Sequence, residues 1–199
     1  MRIIGVTGGV GSGKSRVLDY LSGRCGAVIV RLDDLGREVM KKGAEAYDDV
    51  IAVFGPEVVG PDGEFDRAAI ANLMLGDSDI KKRLEAAVFP SIRARVERLI
   101  RENGKEGTPL LVIESAILVE SGYKAVCDEV WYIYADIDTR VARLRSSRGY
   151  NDYRIYNTMI NQLTEGEFRE NADYIIDNSG DFRATAEAAD KRLAVLGLI

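Results

Sequence analysis

The feature that most constrains the fold of this chain is a glycine-rich segment near its start, GGVGSGKS at residues 8–15. It matches the pattern GxxxxGK[ST], in which glycines let the backbone curl until successive amide groups point at phosphate oxygens. A short β-branched run, residues 3–7, precedes it, and the stretch after Lys14 has apolar residues at helical spacing. Strand, glycine loop and helix in this order predict a nucleotide-binding site.

Each position of this loop has a predicted role in binding ATP. Lys14 is expected to reach the β- and γ-phosphates, and the Ser15 hydroxyl to bind Mg²⁺. The helix that follows presents the positive end of its dipole to the same anion. A dinucleotide fingerprint is the weaker interpretation, because Lys14 and Ser15 follow the last glycine directly. The predicted ATP-binding residues here are Gly8, Gly9, Val10, Gly11, Ser12, Gly13, Lys14 and Ser15.

The composition restricts the chemistry that can accompany this loop. The 199 residues include no histidine, which excludes the usual general base, the usual zinc ligand and the Ser-His-Asp triad. A net charge of −5 gives no overall attraction to nucleic acid or anionic membranes, so neither is expected as a partner. Catalysis must then rely on carboxylates, cations and backbone amides.

The two cysteines and the amino terminus indicate where such a chain works. Cys25 and Cys127 lack paired spacing, which argues against a disulfide scaffold or a thiolate metal site, and both are expected to be buried. The chain runs straight into the glycine loop without a signal-peptide pattern, and no apolar run has the length of a membrane span. A cytoplasmic protein is the expectation.

Apolar runs alternate with helical patterns along the rest of the chain. This alternation predicts an α/β fold of the P-loop NTPase type, with a five-stranded parallel sheet flanked by helices. Beyond the first strand, strands are predicted at 27–31, 110–113, 129–134 and 174–176, and helices at 139–144, 154–162 and 182–196.

The pattern of residues 43–104 is almost wholly helical and predicts a helical insertion within a single domain, 1–199, whose core comprises 1–42 and 105–199. Pro90 is expected to kink or divide the last helix of this insertion, because its ring collides with the preceding turn. Phe89, beside it, is expected to fill the core, with stacking on an adenine as the alternative.

Later segments carry a resemblance to a known family. FGPEVVGPDGEFDR, LVIESAILVESG and ADYIIDNSG follow the glycine loop in an order and spacing that resemble dephospho-CoA kinases over nearly the whole chain. The resemblance implies a nucleoside-monophosphate-kinase-like fold, in which residues 43–104 bind the acceptor and residues 138–165 form a lid. It also implies a transferase that uses ATP and Mg²⁺ to phosphorylate the 3′-hydroxyl of dephospho-CoA, the last step of coenzyme A synthesis.

The resemblance implies roles for two carboxylates outside the loop. Asp33 is similar to the family's acidic residue that accepts the proton of the acceptor hydroxyl, with a helix N-cap as the alternative. An ordinary aspartate suffices for this role, because positioning and charge neutralisation dominate phosphoryl transfer. Glu114 falls where a metal-orienting or substrate-binding carboxylate is expected, with capping or solvent exposure as the alternative.

The resemblance also implies roles in the predicted lid and in the last strand's loop. Arg143, assigned as catalytic, and Arg148 lie where lid arginines neutralise charge on the transferring phosphoryl group, with a solvated basic face as the alternative. Asn178 and Gly180 follow the last strand, where similar kinases place the loop that passes the adenine of ATP.

The sequence departs from the family pattern mainly on the acceptor side. The second lid arginine of the family falls at Ser147, with Arg148 one residue later.

Two alternatives stay open: a P-loop kinase acting on another small hydroxylated or nucleotide-like metabolite, and a non-catalytic ATP-binding relative. The sequence leaves the oligomeric state open. The changed acceptor-side segments are Arg31-Leu32-Asp33 for paired aspartates, Phe89-Pro90 for His-Pro, and Ala116-Ile117-Leu118 within the family's Pro-Leu-Leu-Phe-Glu.

Overall fold

The apolar run before the glycine loop forms the central strand of a five-stranded sheet in the computed structural model, which describes residues 1–74 and 77–199. The strand order is β2-β3-β1-β4-β5, and the pairs β1–β3, β1–β4 and β4–β5 are parallel. The predicted five-stranded parallel sheet is confirmed. The strands are β1 (Arg2–Thr7), β2 (Val28–Arg31), β3 (Leu110–Glu114), β4 (Glu129–Tyr134) and β5 (Tyr174–Asp177).

The helices divide between two compact units of the chain. Residues 1–30 and 103–199 form the unit that holds the sheet, and residues 31–102 form a helical unit. No helix of the described ranges is both long and apolar enough to cross a membrane. Residues 75 and 76, inside the predicted insertion, lie outside the described residues. The helices are α1 (Lys14–Cys25), α2 (Leu32–Val39), α3 (Tyr47–Phe54), α4 (Arg67–Met74), α5 (Ser78–Glu106), α6 (Ile137–Arg148), α7 (Asp152–Ile160), α8 (Glu165–Asn171) and α9 (Phe182–Val195).

The core of the sheet unit explains why its strands are continuous apolar runs. Helices cover the sheet, so side chains on both faces of the strands are buried; Ile4, Trp131 and Ile133 are each at most 1% exposed. Leu21 of α1 packs into the same cluster. Parallel strands end at a common edge, which therefore carries the glycine loop and the loops that follow β3, β4 and β5.

The helical unit has its own packing and its own ionic contacts. Gly36 of α2 lies against Ile92 of α5, where an added Cβ would come 3.5 Å from the isoleucine Cδ1. Arg95 of α5 donates to Glu38 at 2.9 Å and to Glu45 at 2.6 Å. These contacts explain why residues 31–42 group with the helices, although the sequence predicts them as part of the core.

The structure overturns the expected burial of Phe89 and shows that the last helix of the insertion is not divided at Pro90. Pro90 does not divide α5, which runs as one helix from Ser78 to Glu106. Val88 and Ile92, on either side of it, are buried at 6% and 7% exposure, so packing holds the helix although proline lacks a donor. Phe89 does not fill the core, because its neighbours occupy the inward face and it is 37% exposed.

The two cysteines are free thiols and only partly buried. The Cys25 Sγ donates to the Leu21 carbonyl at 3.3 Å, and the Cys127 Sγ to the Tyr123 carbonyl at 3.2 Å. Burial raises the pKa of the Cys25 thiol and raises the pKa of Cys127 to about 12. Both thiols are therefore less ionised at neutral pH than an exposed cysteine, and so less reactive.

We expect the stability of the helical unit to depend on pH through Glu45. Its hydrogen bond from Arg95 lowers the pKa of the Glu45 carboxyl from 4.5 to about 2. A lowered pKa stabilises the fold above the unfolded value, so the stabilisation is full above about pH 5 and falls as the pH drops toward 2. Because the side chain is 45% exposed, the effect should stay below about 1 kcal/mol.

The measurement is urea unfolding followed by circular dichroism between pH 6.5 and 3.5. The difference in unfolding free energy between wild type and Glu45→Gln should shrink steadily as the pH falls. Glu85→Gln is the control, since its ion pair with Lys81 is exposed and 3.8 Å long. A Glu45→Gln difference that stays constant over this range would contradict the expectation.

Candidate functional site

The glycine loop, residues 8–13, connects β1 to α1 at the carboxyl edge of the sheet. Its turn closes on itself through a hydrogen bond of 3.1 Å from the Ser12 amide to the Gly9 carbonyl. Gly13 is the N-cap of α1 with φ at 87°, and a Cβ there would overlap the Asn178 side chain. Only glycine satisfies both conditions, so the sequence requirement is explained by the geometry.

A cation and a carboxylate meet at the end of this loop. The Lys14 Nζ donates to the Gly8 carbonyl at 2.8 Å and lies 3.8 Å from the Glu114 Oε1. Glu114 is the last residue of β3, where it pairs in register with Val6 of β1. Both side chains are largely buried, at 14% and 13% exposure. The fold thus brings the predicted Lys14 and Glu114 together.

Ser15 follows Lys14 in the first turn of α1 and is exposed. Its hydroxyl and the Glu114 carboxylate are hard oxygen donors of the kind that Mg²⁺ prefers. Within residues 1–74 and 77–199, no cluster of three or more acidic or cysteine side chains could hold a metal ion. A metal ion beside Ser15 or Glu114 would therefore need further ligands from outside the protein.

Asn178 supports the glycine loop from the next element. Its Nδ2 donates to the Ser12 carbonyl at 2.7 Å, and its Oδ1 accepts from the Thr185 hydroxyl at 3.1 Å. The residue is 2% exposed, so its side chain is committed to the protein. Gly180, by contrast, is exposed, with open space at its Cβ position. In the loop after β5, therefore, hydrogen bonds fix the side chain of Asn178, whereas Gly180 is exposed to solvent.

The predicted lid arginines have different surroundings. The Arg143 guanidinium donates to the Ser12 carbonyl at 3.3 Å and to the Asn178 carbonyl at 2.8 Å. Arg148 lies at the exposed end of α6, with its Cζ 6.0 Å from the Tyr150 ring. The structure thus brings Arg143 to the glycine loop, whereas Arg148 makes no hydrogen bond to that loop within the described residues.

Sequence reasoning missed how Arg140 and Gln162 bind the loop. The Arg140 Nε donates to the Val10 carbonyl at 2.9 Å, and the Val10 amide donates to the Gln162 Oε1 at 2.9 Å. In the sequence Arg140 is one of four arginines within residues 140–148, and Gln162 is the last residue of the helix predicted at 154–162. No periodicity or spacing in the sequence indicates that either residue reaches Val10.

The start of α6 is fixed beside these residues by a cap that the sequence analysis also missed. The Asp136 Oδ1 accepts from the Thr139 amide at 2.7 Å, and the Asp136 amide donates to the Ser179 hydroxyl at 3.0 Å. Hydrogen bonds from the Thr139 amide and hydroxyl are the main cause that lowers the pKa of the Asp136 carboxyl. The signal in the sequence is Asp136 itself, because aspartate is a preferred N-cap residue that accepts from the backbone amide three residues later.

Two hydroxyl groups at the loop are buried without a partner among the described residues, Thr7 Oγ1 and Ser12 Oγ. Both residues are 1% exposed. An unsatisfied buried hydroxyl is costly, and native structures keep such groups mainly where a ligand or water completes them. These two hydroxyl groups are therefore places at the loop where a ligand or a water molecule can form a hydrogen bond.

Asp33 belongs to the helical unit and occupies the first turn of α2. The N-cap of that helix is Arg31, so the alternative of an Asp33 N-cap does not hold. Asp34, the next residue, accepts a hydrogen bond from Arg37 at 2.6 Å. The Asp33 carboxylate is exposed and has no hydrogen bond or ion pair within the described part of the chain. It is available to a ligand.

A scan against family models identifies the protein family. Residues 2–184 match the model of the dephospho-CoA kinase family, which is most of the chain. The chain belongs to the dephospho-CoA kinase family. It is therefore a kinase, and membership implies ATP as a substrate. The resemblance found in the sequence is confirmed.

Individual relatives agree with the family model. The chain is 36% identical over 193 residues to the dephospho-CoA kinase of Geobacter sulfurreducens, covering 97% of this chain and 95% of that protein. It is 36% identical over 192 residues to the dephospho-CoA kinase of Symbiobacterium thermophilum, covering 95% and 80%.

Solved structures agree with the predicted fold. The protein TT1252 of Thermus thermophilus superposes with a TM-score of 0.83 at 31% identity, covering 98% of this chain and 96% of that one. A shikimate kinase from Acinetobacter baumannii gives a TM-score of 0.53 at 15% identity, covering 99% and 94%, which shows the fold alone. The P-loop kinase fold is thus confirmed.

We expect Asn178→Asp to destabilise the sheet unit. The substitution replaces the Nδ2 donor by a carboxylate oxygen facing the Ser12 carbonyl in a buried site. The loss should be about 1–3 kcal/mol of unfolding free energy, measured by urea unfolding at pH 7. Asn161→Asp is the matched control, because its amide donates to the Asn157 carbonyl at an exposed position. Equal stability losses in the two variants would contradict a supporting role for Asn178.

Proposed function

We propose that this kinase transfers the γ-phosphoryl group of ATP to the 3′-hydroxyl of dephospho-CoA, giving coenzyme A. Family membership supports the reaction, which is ATP-dependent phosphorylation of dephospho-CoA. The observation that carries the residue assignments is the glycine loop, whose end places Lys14 3.8 Å from the carboxylate of Glu114. Both substrates are small molecules.

The glycine loop is proposed to hold the β- and γ-phosphates of ATP. Its backbone amides, the positive end of α1 and the Lys14 ammonium together form an anion site. The Lys14 ammonium is already next to the loop, since it donates to the Gly8 carbonyl at 2.8 Å. Asn178 and Gly180 are proposed to border the adenine, with Gly180 at the open edge.

Ser15 and Glu114 are the proposed protein contacts of Mg²⁺. The Ser15 hydroxyl lies one residue after Lys14, and Glu114 is in ion-pair contact with Lys14. Both fit a hard cation that also binds phosphate oxygens. A metal bound there would neutralise charge on the phosphates.

Asp33 is proposed to orient the acceptor hydroxyl and accept its proton. Its exposed carboxylate has no other partner among the described residues, in contrast to Asp34 with its Arg37 bond. Because phosphoryl transfer has a loose transition state, a carboxylate of ordinary basicity is sufficient when the hydroxyl is well placed.

Arg143 is proposed to lend its positive charge to the phosphoryl group in transfer. Its guanidinium binds two backbone carbonyls, Ser12 and Asn178, which are neutral acceptors that leave its charge in place. The charge therefore acts through the field at the loop. Arg148, at the exposed end of α6, is proposed as a second lid cation.

A cavity of about 420 Å³ within the helical unit is proposed to take part of the acceptor. Arg37, Lys41 and Arg67 supply positive charge around it, and Met40 and Phe65 supply apolar wall. Dephospho-CoA combines a diphosphate with a long, largely uncharged chain, so both kinds of lining have a counterpart in it.

We expect Asp33→Asn to lower kcat by about 100-fold or more with little change in KM for ATP. The reason is that the amide keeps the size of the side chain but cannot accept the proton. The measurement is steady-state kinetics with ATP and dephospho-CoA. Asp34→Asn is the matched control, on the same turn of α2, and should stay near the wild-type rate. A wild-type kcat in Asp33→Asn would reject the proposed role.

The reaction itself is tested by the product that the purified protein forms from ATP, Mg²⁺ and dephospho-CoA. We expect coenzyme A and ADP in equal amounts by chromatography, and no phosphorylated product with Lys14→Ala, because the phosphates lose their main cation. Retained melting temperature in Lys14→Ala would show that the fold is intact. ATP binding without coenzyme A formation by the wild type would refute the proposal.

A further inference from the structure

The tip of the glycine loop is held by two side chains from outside it. The Val10 carbonyl accepts from the Arg140 Nε at 2.9 Å, and the Val10 amide donates to the Gln162 Oε1 at 2.9 Å. The Arg140 Nη2 also donates to the Gln162 Oε1 at 3.4 Å. We call Val10, Arg140 and Gln162 the tip brace. Each of its members contacts both of the others.

These bonds fix the orientation of two peptide planes. In a trans peptide the carbonyl and the following amide point in opposite directions, so the bond to the Val10 carbonyl sets the direction of the Gly11 amide. The bond from the Val10 amide likewise sets the direction of the Gly9 carbonyl, which accepts from the Ser12 amide at 3.1 Å. The tip brace therefore determines how the loop presents its amides.

The loop cannot hold this orientation by itself. Glycine explores more backbone conformations than other residues, and four of residues 8–13 are glycine. Gly9 also has to be glycine for the contact to form, since a Cβ there would overlap the Arg140 guanidinium. The close approach to Gly9 and the hydrogen bond to the Val10 carbonyl are made by the same arginine, Arg140.

Arg140 brings a charge that no carboxylate of the described residues pairs with directly, although the charge of Glu165 favours it from a greater distance. Both of its hydrogen-bond acceptors are neutral, and within the described residues it forms no ion pair with a carboxylate. Burial lowers the pKa of the Arg140 guanidinium, which is a sign of the desolvation that the cation bears. A desolvated cation without a directly paired carboxylate is stabilised by a bound anion, and the neighbouring loop is the proposed anion site.

The tip brace also connects the loop to both ends of one segment. Arg140 lies in the first turn of α6, and Gln162 lies two residues beyond the end of α7. The chain between them, residues 141–161, is most of the predicted lid. Both of its ends are therefore attached to Val10.

We propose that Arg140 and Gln162 are positioning residues, which orient the Val10 and Gly11 peptide groups so that the loop is preformed for the β- and γ-phosphates. This inference rests on the proposed function only in that the loop binds ATP. Their effect is on the placement of the phosphoryl group, so their loss should reduce turnover beyond any loss of stability.

The first test measures hydrogen exchange at the Val10 amide without nucleotide or acceptor. Gln162→Met removes the acceptor at nearly constant size, and exchange should accelerate by about tenfold or more. Gln162→Glu keeps a carboxylate oxygen for the same amide and should retain the protection. Asn161→Ala, the adjacent residue, is the control and should leave exchange at Val10 unchanged. Equal exchange in Gln162→Met and wild type would overturn the inference.

The second test compares kcat and KM in Gln162→Met, Arg140→Met and the double variant. Each single variant should lower kcat by about tenfold or more, with KM for dephospho-CoA unchanged. The double variant should lose little more than the worse single variant, because the two side chains hold the same residue, Val10, and are hydrogen-bonded to each other. Arg145→Met is the control on α6, since its partner is the exposed Asp152 at 2.7 Å.

The outcomes separate this inference from the proposed function. If coenzyme A forms at the wild-type rate in both methionine variants, the positioning role is rejected and the proposed function stands. If the wild type makes no coenzyme A, the proposed function fails, and the exchange test still decides whether Gln162 holds Val10. Should Gln162→Met fail to fold, Arg140→Met, which removes the donor to the Val10 carbonyl, decides the kinetic test by itself.

Discussion

The glycine loop has almost no side chains of its own, so its shape depends on hydrogen bonds donated to its carbonyl groups by other elements. The carbonyls of Gly8, Val10 and Ser12, at alternate positions, accept from Lys14, Arg140, and the pair Asn178 and Arg143. Each bound carbonyl fixes the opposite direction for the amide that follows it. The sheet matters to the site because it brings these donors to one edge.

Much of the fold was predictable because burial on both faces of a parallel sheet leaves continuous apolar runs. β3 and β4 were visible in this way, and β1 followed from the loop that it precedes. Prediction failed where tertiary packing decided the outcome. α5 continues through Pro90 because its flanking residues are buried, and Phe89 is exposed because Val88 and Ile92 take the inward face.

The candidate site was predictable in its motif and not in its supports. Lys14 and Ser15 are defined by the spacing of the loop, and Glu114 by the end of a strand. The contacts of Arg140, Gln162 and Asn178 join residues more than 100 positions apart, and no local pattern encodes such pairs. Asp33 was predicted from the family resemblance alone. The structure adds that its carboxylate is exposed and forms no hydrogen bond or ion pair within the described residues.

The state of the two cysteines has a consequence for an enzyme whose acceptor and product both carry a thiol. Disulfide exchange requires a thiolate, and with a pKa of about 12 the Cys127 thiol is ionised in only about one molecule in 10⁵ at pH 7. The pKa of Cys25 is raised as well. Exchange of these thiols with the disulfide of oxidised coenzyme A is therefore slow, and it is slowest at Cys127.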